Sequence, residues 1–209
     1  MEESASRRLP PGSHGIPADV VARNQRERLI AGIAEACAEG GYAETSVADA
    51  AKRAGVSTAT FYEQFAGKRD CLLTAHGQLL ERLLEEVDRA REAESAGNEK
   101  SRAALRAMLA LLEADPPSAR LLTVEVLAAG LEGVEHHDAL VEALGRRLDA
   151  EWVPVAGMLA LIGKLVMAGE ASRLPSLEDE LAGTLSLQVD PKSFIERDIG
   201  DSATFKLQP

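Results

Sequence analysis

Hydroxyl-bearing side chains are concentrated in one short stretch of the sequence, at Ser57, Thr58, Thr60 and Tyr62. Ser57 follows Gly55 closely and is a residue type that caps the start of a helix. Serine, threonine and tyrosine hydroxyls, together with the free N–H groups of a helix's first turn, bind phosphate oxygens. The stretch therefore predicts contact with a phosphate-rich partner.

No catalytic arrangement accompanies these hydroxyls. The sequence has no nucleophile elbow, no glycine-rich phosphate loop, no metal-ligand spacing and no spaced His–acid pair. His136 and His137 are adjacent, so on a helix they point about 100° apart, and no cysteine or further histidine joins them. We interpret both as surface residues, and we expect no enzyme activity, no cofactor and no metal site.

Two short predicted helices position the hydroxyls. The run Ser46-Val47-Ala48-Asp49 is a capping box that begins a helix, and Gly55 ends that helix after about two turns. Ser57 begins the next helix, on which Phe61 and Phe65 lie at i, i+4 and serve as core anchors. Two short helices joined by a three- to four-residue turn containing glycine have the geometry of a helix-turn-helix.

The run TSVADAAKRAGVSTATFYEQFAGKRDCL, from Thr45 to Leu72, closely resembles the DNA-binding domain of TetR-family transcriptional regulators. The matching elements are Thr45, Ala48, the turn Ala54-Gly55-Val56-Ser57, the block Thr60-Phe61-Tyr62, Phe65, Lys68 and Leu72. The resemblance covers about residues 23–83. Beyond it, residues 84–209 match only in helix count and apolarity.

This resemblance implies a two-fold dimer that binds a palindromic operator in double-stranded DNA, with an unknown small molecule controlling its affinity. The residues it assigns to DNA binding are Thr45, Ser46, Ser57, Thr58, Ala59, Thr60, Tyr62 and Lys68. Thr45 would cap the second helix and touch phosphate, residues 57–60 would enter the major groove, and Tyr62 and Lys68 would hold the DNA backbone. The alternative for Tyr62 is a packing tyrosine with a wet hydroxyl.

One position departs from the family pattern, because the family often has glycine where Ala59 stands. The early third helix also has no Arg, Asn or Gln, so base discrimination would depend on hydroxyls, water and DNA shape. Arg7, Arg8, Arg23 and Arg26 would form a basic arm reaching phosphates or the minor groove. For Arg7 and Arg8 an untethered tail is the alternative.

The chain has 209 residues and a formal net charge of −11. Apolar residues make up 45% and charged residues 27%, which is typical of a globular protein and excludes wholesale disorder. Ala and Leu supply most of the apolar mass and β-branched residues are sparse, which favours helices over sheets. The negative charge lies almost wholly in residues 76–209, whereas residues 23–75 are neutral, so we expect two units with different partners.

Nothing in the sequence predicts a membrane partner. No apolar run approaches the ~20 residues needed to span a bilayer. Residues 1–30 contain acidic residues and several arginines without an apolar signal core, so secretion is not expected. We expect a cytoplasmic protein.

These patterns together predict an all-α fold in which an N-terminal three-helix domain precedes a helical ligand-binding and dimerisation domain. The expected divisions are a flexible arm at 1–18, the helix-turn-helix domain at 19–68, the second domain at 69–187 and a polar tail at 188–209. Within the second domain, helices are expected to begin near Ser101, Ala119, His137, Val153 and Ser176, the last with a capping box.

The second domain is expected to supply a ligand pocket and a dimer interface. The candidate pocket residues, which an ordinary core would equally explain, are Met108, Leu112, Leu122, Val126, Leu140 and Leu144. The near absence of aromatic residues favours an aliphatic or mixed apolar effector. A helix over 153–168 is apolar on nearly every side and would pair with the last helix in a four-helix seam. The expected interface residues are Val155, Leu159, Ile162, Val166, Leu177, Leu181 and Leu185.

Two alternatives stay open at this point. The first is a helical module that binds a small molecule or a protein and whose helix-turn-helix reads no DNA, which the acidic total charge favours. The second concerns Cys37 and Cys71, which fall in apolar helical patterns where a free cysteine acts as a small hydrophobe. A redox switch between these two cysteines is the less expected role.

Overall fold

The computed structural model describes residues 17–95 and 97–185. The predicted tail and almost all of the predicted arm, including Arg7 and Arg8, lie outside these residues. The nine α-helices within the described ranges are α1 (Ala18–Gly40), α2 (Val47–Ala54), α3 (Thr58–Gln64), α4 (Lys68–Glu92), α5 (Gly97–Ala114), α6 (Pro116–Thr123), α7 (Leu131–Leu148), α8 (Trp152–Met167) and α9 (Glu178–Leu185). Two 3₁₀ helices, Glu125–Ala129 and Ala171–Leu177, complete the described structure.

The first three helices form a small N-terminal unit. Leu29 and Ile33 of α1 are fully buried, and they meet Phe61 and Phe65, which are also buried. The rings of the two phenylalanines lie 5.6 Å apart, centroid to centroid. The predicted anchoring of α3 through this pair is confirmed.

Helix α4 joins this unit to the rest of the chain. It packs against α1 on one hand and against α5 and α7 on the other. The buried side of the helix carries Cys71, Leu72, Leu73, Ala75, His76, Leu79, Leu83 and Val87. Because one continuous helix contributes to both units, a displacement of its later turns can reach the N-terminal unit.

The remaining helices surround a second part of the core, to which α5, α6, α7 and α8 contribute. The closest approach in this part is at Gly133, in the first turn of α7. A Cβ atom at this position would lie 1.9 Å from the carbonyl oxygen of Val126 in the first 3₁₀ helix. No side chain fits there, so the absence of a Cβ is what lets α7 pack on that segment.

Several helix boundaries in the second part differ from the sequence prediction, among them the start of α7, which lies at Leu131 and not near His137. Helix α5 begins at Gly97, and the Ser101 hydroxyl donates to a carboxylate oxygen of Asp149 instead of capping the helix. The helix predicted to begin near Ala119 begins earlier, at Pro116, because Asp115 caps α6. That predicted helix is also interrupted at Val124, which has a non-helical backbone conformation.

The predicted capping box at Ser176 is wrong. Ser176 lies in the second 3₁₀ helix, and its hydroxyl donates to the carbonyl oxygen of Arg173. Helix α9 begins two residues later, at Glu178. A local bond to a preceding carbonyl has displaced the N-cap role, which is the competition expected of serine side chains.

Crossing a membrane requires a helix of sufficient length and hydropathy. Among the described residues, no single helix is both long and apolar enough, and α7 with α8 meets the criteria only as a pair bent by 112°.

His76 is fully buried on α4, and neither of its ring nitrogens makes a well-formed hydrogen bond among the described residues. Its ring packs edge-on against that of His136, with centroids 5.4 Å apart. The prediction that His136 and His137 are surface residues is therefore wrong, since both are partly buried at the α4–α7 contact. Burial, with smaller contributions from His136 and His137, lowers the pKa of His76 to about 4.

We predict that this histidine makes the protein sensitive to acid. In the unfolded chain the pKa of His76 returns to about 6.5, so between pH 6.5 and 4 the unfolded chain takes up a proton that the folded chain excludes. The free energy of unfolding should fall by about 3 kcal/mol as the pH is lowered through this window. Urea unfolding at several pH values would measure it. His76→Leu should lack this contribution. An equal change of unfolding free energy with pH in the two proteins would contradict the assignment.

We also predict that Gly133→Ala destabilises the fold. The added methyl group must push α7 away from Val126, at a cost of about 1–3 kcal/mol or more. Gly77→Ala in the interior of α4 is the matched control, because a Cβ there meets nothing within 4 Å. The control should be neutral or stabilised by up to about 1 kcal/mol. Thermal unfolding of the two variants would decide, and similar midpoints would refute the close approach.

Candidate nucleic-acid interface

Helix α2 begins with the capping box that the sequence predicts. The Asp49 amide donates to the Ser46 hydroxyl oxygen at 3.2 Å, and the Ser46 amide donates to the Asp49 carboxylate at 3.0 Å. The hydrogen bonds from Ser46 lower the pKa of Asp49. At the other end, Gly55 has a φ of 63°, a left-handed conformation that lets the chain turn sharply towards α3.

Helix α3 begins at its predicted cap. The Thr60 amide donates to the Ser57 hydroxyl oxygen at 3.0 Å, and the hydroxyls of Ser57 and Thr60 lie 3.0 Å apart. Both hydroxyls are thus engaged in forming the first turn. We call residues 46–65, which comprise α2, the turn and α3, the reading head.

The outward side of α3 carries Thr58, Ala59, Tyr62 and Glu63, all exposed. Tyr62 is 61% exposed, although the edge of its ring contacts Phe61. This surface offers two hydroxyl groups, the methyl groups of Thr58 and Ala59, and one carboxylate. The four residues are brought together because Phe61 and Phe65 occupy the opposite side of the helix.

The structure places Thr45 differently from the prediction. Ser46 is the cap of α2, and Thr45 is 5% exposed. The Thr45 hydroxyl donates to the carbonyl oxygen of Gly41 at 2.8 Å, which helps to close the loop between α1 and α2. A buried hydroxyl that already has a partner is poorly placed to reach a phosphate.

The ammonium group of Lys68 binds backbone groups of the protein itself. Its ammonium group donates to the carbonyl oxygens of Tyr42 at 2.9 Å, Ala43 at 3.2 Å and Thr45 at 2.9 Å. It also lies 4.4 Å from the centre of the Tyr42 ring, a cation–π distance. The predicted contact of Lys68 with the DNA backbone therefore competes with three existing hydrogen bonds.

Two arginines of α1 hold the reading head, and the sequence analysis missed this role. Arg28 donates to the carbonyl oxygens of Ala54 at 2.7 Å and Gly55 at 2.9 Å, which end α2. Arg26 donates to the carbonyl oxygen of Gln64 at 2.6 Å and stacks 4.1 Å from the Phe65 ring centre. These contacts join residues 26 to 38 positions apart, so no local pattern could have indicated them.

Two further cations of this unit are paired with acidic residues. Arg53 on α2 forms an ion pair with Glu39. Arg69 on α4 lies 3.4 Å from a carboxylate oxygen of Glu132 at the start of α7. Lys52 and Arg23 are exposed.

The predicted pocket residues all lie in the hydrophobic core of the second part of the chain. They are Met108, Leu112, Leu122, Val126, Leu140 and Leu144, and each is buried. An open cavity of about 710 Å³ lies elsewhere, between the start of α5, the end of α7 and α9. Its lining includes Arg102 and Asp179, which are paired with each other.

The predicted dimer residues lie on the inner side of their helices. Val155, Leu159, Ile162, Val166, Leu181 and Leu185 are buried within the single chain, and Leu177 is partly buried. The sequence pattern did not separate the inner side of α8 from its exposed side, because this helix is apolar nearly all round. Its exposed side carries Val153, Gly157, Ala160, Lys164 and Met167.

Both cysteines are buried and free. Burial raises the pKa of the Cys71 thiol to about 12 and also raises that of Cys37. A thiol with a raised pKa and no exposure is a poor nucleophile. The structure thus favours the packing role over the redox switch.

Comparison with known proteins adds the following findings. Residues 29–75 match the family model of the bacterial regulatory proteins, tetR family. No curated protein matched the sequence. Among solved structures, the fatty acid degradation regulator FadR from Bacillus halodurans is 20% identical with a TM-score of 0.68, and the match covers 79% of this chain and 96% of that one.

Two other solved structures are similar. FadR from Bacillus subtilis, solved in complex with stearoyl-CoA, is 20% identical with a TM-score of 0.66, and the match covers 77% of this chain and 97% of that one. A transcriptional regulator from Rhodococcus sp. Rha1 is 25% identical with a TM-score of 0.59, covering 77% and 93%. Residues 29–75 therefore match the tetR family model, and the chain has the fold of these solved transcriptional regulators.

Proposed function

We propose that the chain is a repressor that binds a palindromic operator as a homodimer and releases it when a small apolar effector enters the second domain. The observation that carries this proposal is the outward side of α3, which presents Thr58, Ala59 and Tyr62 on a rigidly anchored helix. Hydroxyl and methyl groups on a short helix are suited to the major groove, where they contact base edges and thymine methyls.

The roles within this surface follow from what each side chain already binds. Thr58 and Ala59 are exposed in the first turn of α3, so we assign them to the bases. The exposed Tyr62 is assigned to phosphates, which accept hydrogen bonds from hydroxyls. The Ser46 hydroxyl already donates to the Asp49 carboxylate, so we assign Ser46 to the cap of α2. Ser57 and Thr60 form the helix cap and would position the others, and Lys68 would act mainly through the loop that it holds.

A homodimer is supported by the exposed side of α8. Val153, Gly157, Ala160 and Met167 follow one another at helical spacing and, with Lys164 between the last two, leave a mostly apolar stripe in contact with water. Glycine and alanine in the stripe would allow two copies of the helix to approach closely. Two reading heads related by a two-fold axis would match successive major grooves about 34–36 Å apart.

The effector is assigned to the core between α5, α6 and α7, where the six candidate pocket residues are aliphatic side chains and one methionine. Support for an aliphatic ligand comes from the similar fold of FadR from Bacillus subtilis, which was solved with stearoyl-CoA. An effector would act by binding one arrangement of the two reading heads better than the other.

One observation favours a different function, namely a helical binding module whose helix-turn-helix reads no DNA. The chain has a net charge of −11, and Arg26, Arg28, Arg53 and Lys68 are engaged within the protein. DNA affinity depends strongly on neutralising phosphates. Selection of bound sequences from a random duplex pool at about 0.1 M salt separates the two functions. A recovered palindrome supports the repressor, and no binding even at low salt supports the binding module.

We predict that two substitutions on α3 act differently in this selection. Thr58→Ala removes a hydroxyl assigned to a base edge, so it should change the preferred base at one or two positions, worth about 1–3 kcal/mol each. Tyr62→Phe removes a hydroxyl assigned to phosphate, so it should weaken binding to every sequence by about threefold to tenfold. Equal losses for both variants, without a change in preference, would count against these assignments.

We further predict that Ala160→Glu dissociates the dimer. The substitution places a carboxylate in the exposed apolar stripe of α8, where it would be desolvated by the second copy. Sedimentation at micromolar concentration should show a dimer for the unsubstituted protein and a monomer for the variant. Ala110→Glu, at an exposed position of α5, is the control and should remain dimeric. A dimeric Ala160→Glu protein would rule out this face.

A further inference from the structure

Glu125 begins the first 3₁₀ helix of the second part of the chain, yet its carboxylate is turned towards the N-terminal unit. Glu125 is 5% exposed. One carboxylate oxygen accepts a hydrogen bond from the Tyr42 backbone amide at 2.6 Å, across 83 residues of sequence. Tyr42 lies in the loop between α1 and α2, directly before the reading head.

Arg120 of α6 completes this contact. Its Nε donates to the other carboxylate oxygen of Glu125 at 2.6 Å, and its Nη1 donates to the carbonyl oxygen of Ala38 at 2.6 Å, near the end of α1. The non-helical backbone of Val124 separates the two residues and turns Glu125 back towards Arg120. We call Arg120 and Glu125 the clamp.

The clamp and Lys68 bind different backbone groups of the same loop. Glu125 binds the amide of Tyr42, while Lys68 binds the carbonyl oxygens of Tyr42, Ala43 and Thr45. Gly41 fits directly against the clamp, since a Cβ there would lie 3.5 Å from the Arg120 guanidinium and 3.7 Å from the Glu125 carboxylate. The loop thus has little freedom to move apart from α6.

The clamp is also well placed to transmit motion from the core. Leu122 and Val126 are neighbours of Arg120 and Glu125 in the sequence, and both are buried in the core of the second part. One segment, residues 120–126, therefore carries core residues among the residues that bind the loop. A shift of this segment displaces the amide of Tyr42 and, through the loop, the start of α2.

We propose that Glu125, oriented by Arg120, is a positioning residue through which the second part of the chain sets the orientation of the reading head. The expected effect on DNA affinity rests on the proposed function, whereas the contact between Glu125 and the loop does not. Removing the charge of Glu125 should loosen the loop and the reading head without altering any residue assigned to DNA.

Glu125→Gln is the direct test, because glutamine has nearly the same shape but lacks the charge that Arg120 binds. The matched control is Asp88→Asn, which breaks another partly buried ion pair, with Arg147, between α4 and α7. Both substitutions remove the negative charge of a carboxylate that binds an arginine side chain. Only the first contact reaches the loop before the reading head.

Two measurements are made on the full-length proteins. In hydrogen exchange, the amides of Tyr42 and of α2 should exchange about tenfold faster in Glu125→Gln, as expected when a charge-assisted hydrogen bond is lost. In titration with the selected operator, its affinity should fall about tenfold, within the 5–150-fold range typical of coupling between sites. Asp88→Asn should leave both values within about twofold of the unsubstituted protein.

The double variant Arg120→Gln/Glu125→Gln tests whether the pair acts as a unit. Its loss of affinity and of amide protection should be no larger than that of the worse single variant, because each single change leaves the other charge uncompensated. Additive losses would overturn the clamp, as would unchanged exchange in Glu125→Gln or equal effects in Asp88→Asn. If the unsubstituted protein selects no DNA, the proposed function fails, and the exchange measurement alone decides on the clamp.

Discussion

The ammonium group of Lys68 fixes the geometry on which the N-terminal unit depends. It binds three carbonyl oxygens of one loop and lies over the ring of Tyr42. A partly buried ammonium needs such partners, since burial without them is costly, and the loop's polar groups need partners for the same reason. Because Lys68 is the first residue of α4, this contact joins the long helix, the loop and the start of the reading head into one body.

The distribution of charge follows from this arrangement. Around the reading head, cations hold backbone carbonyls: Arg26 and Arg28 bind the ends of α3 and α2, as Lys68 binds the loop. What remains on the outer side of α3 is Thr58, Ala59, Tyr62 and Glu63, with no cation among them. A surface of this kind distinguishes partners by shape, hydrogen-bond direction and bound water more than by charge. An acidic chain can carry such a unit, because salt screens the field of exposed charges beyond a Debye length of about 10 Å.

The sequence predicted those features that depend on neighbours in the chain. The capping box at Ser46, the cap at Ser57 and the turn at Gly55 involve residues within a few positions, and the structure confirms them. Contacts between distant residues left no such signal, as with Glu125 and the amide of Tyr42. The exposed side of α8 could not be predicted for another reason. A helix that is apolar on almost every side does not indicate which side faces inward.

The two buried thiols have a practical consequence for measurement. Maleimide reagents attack exposed thiolates, and both native cysteines are buried with raised pKa values. A single cysteine introduced at an exposed site would therefore take up a probe selectively, without first replacing the native ones. Arg23, on the exposed side of α1, offers such a site. Spectroscopic distance measurements between the labels on two copies can then follow the separation of the N-terminal units in solution.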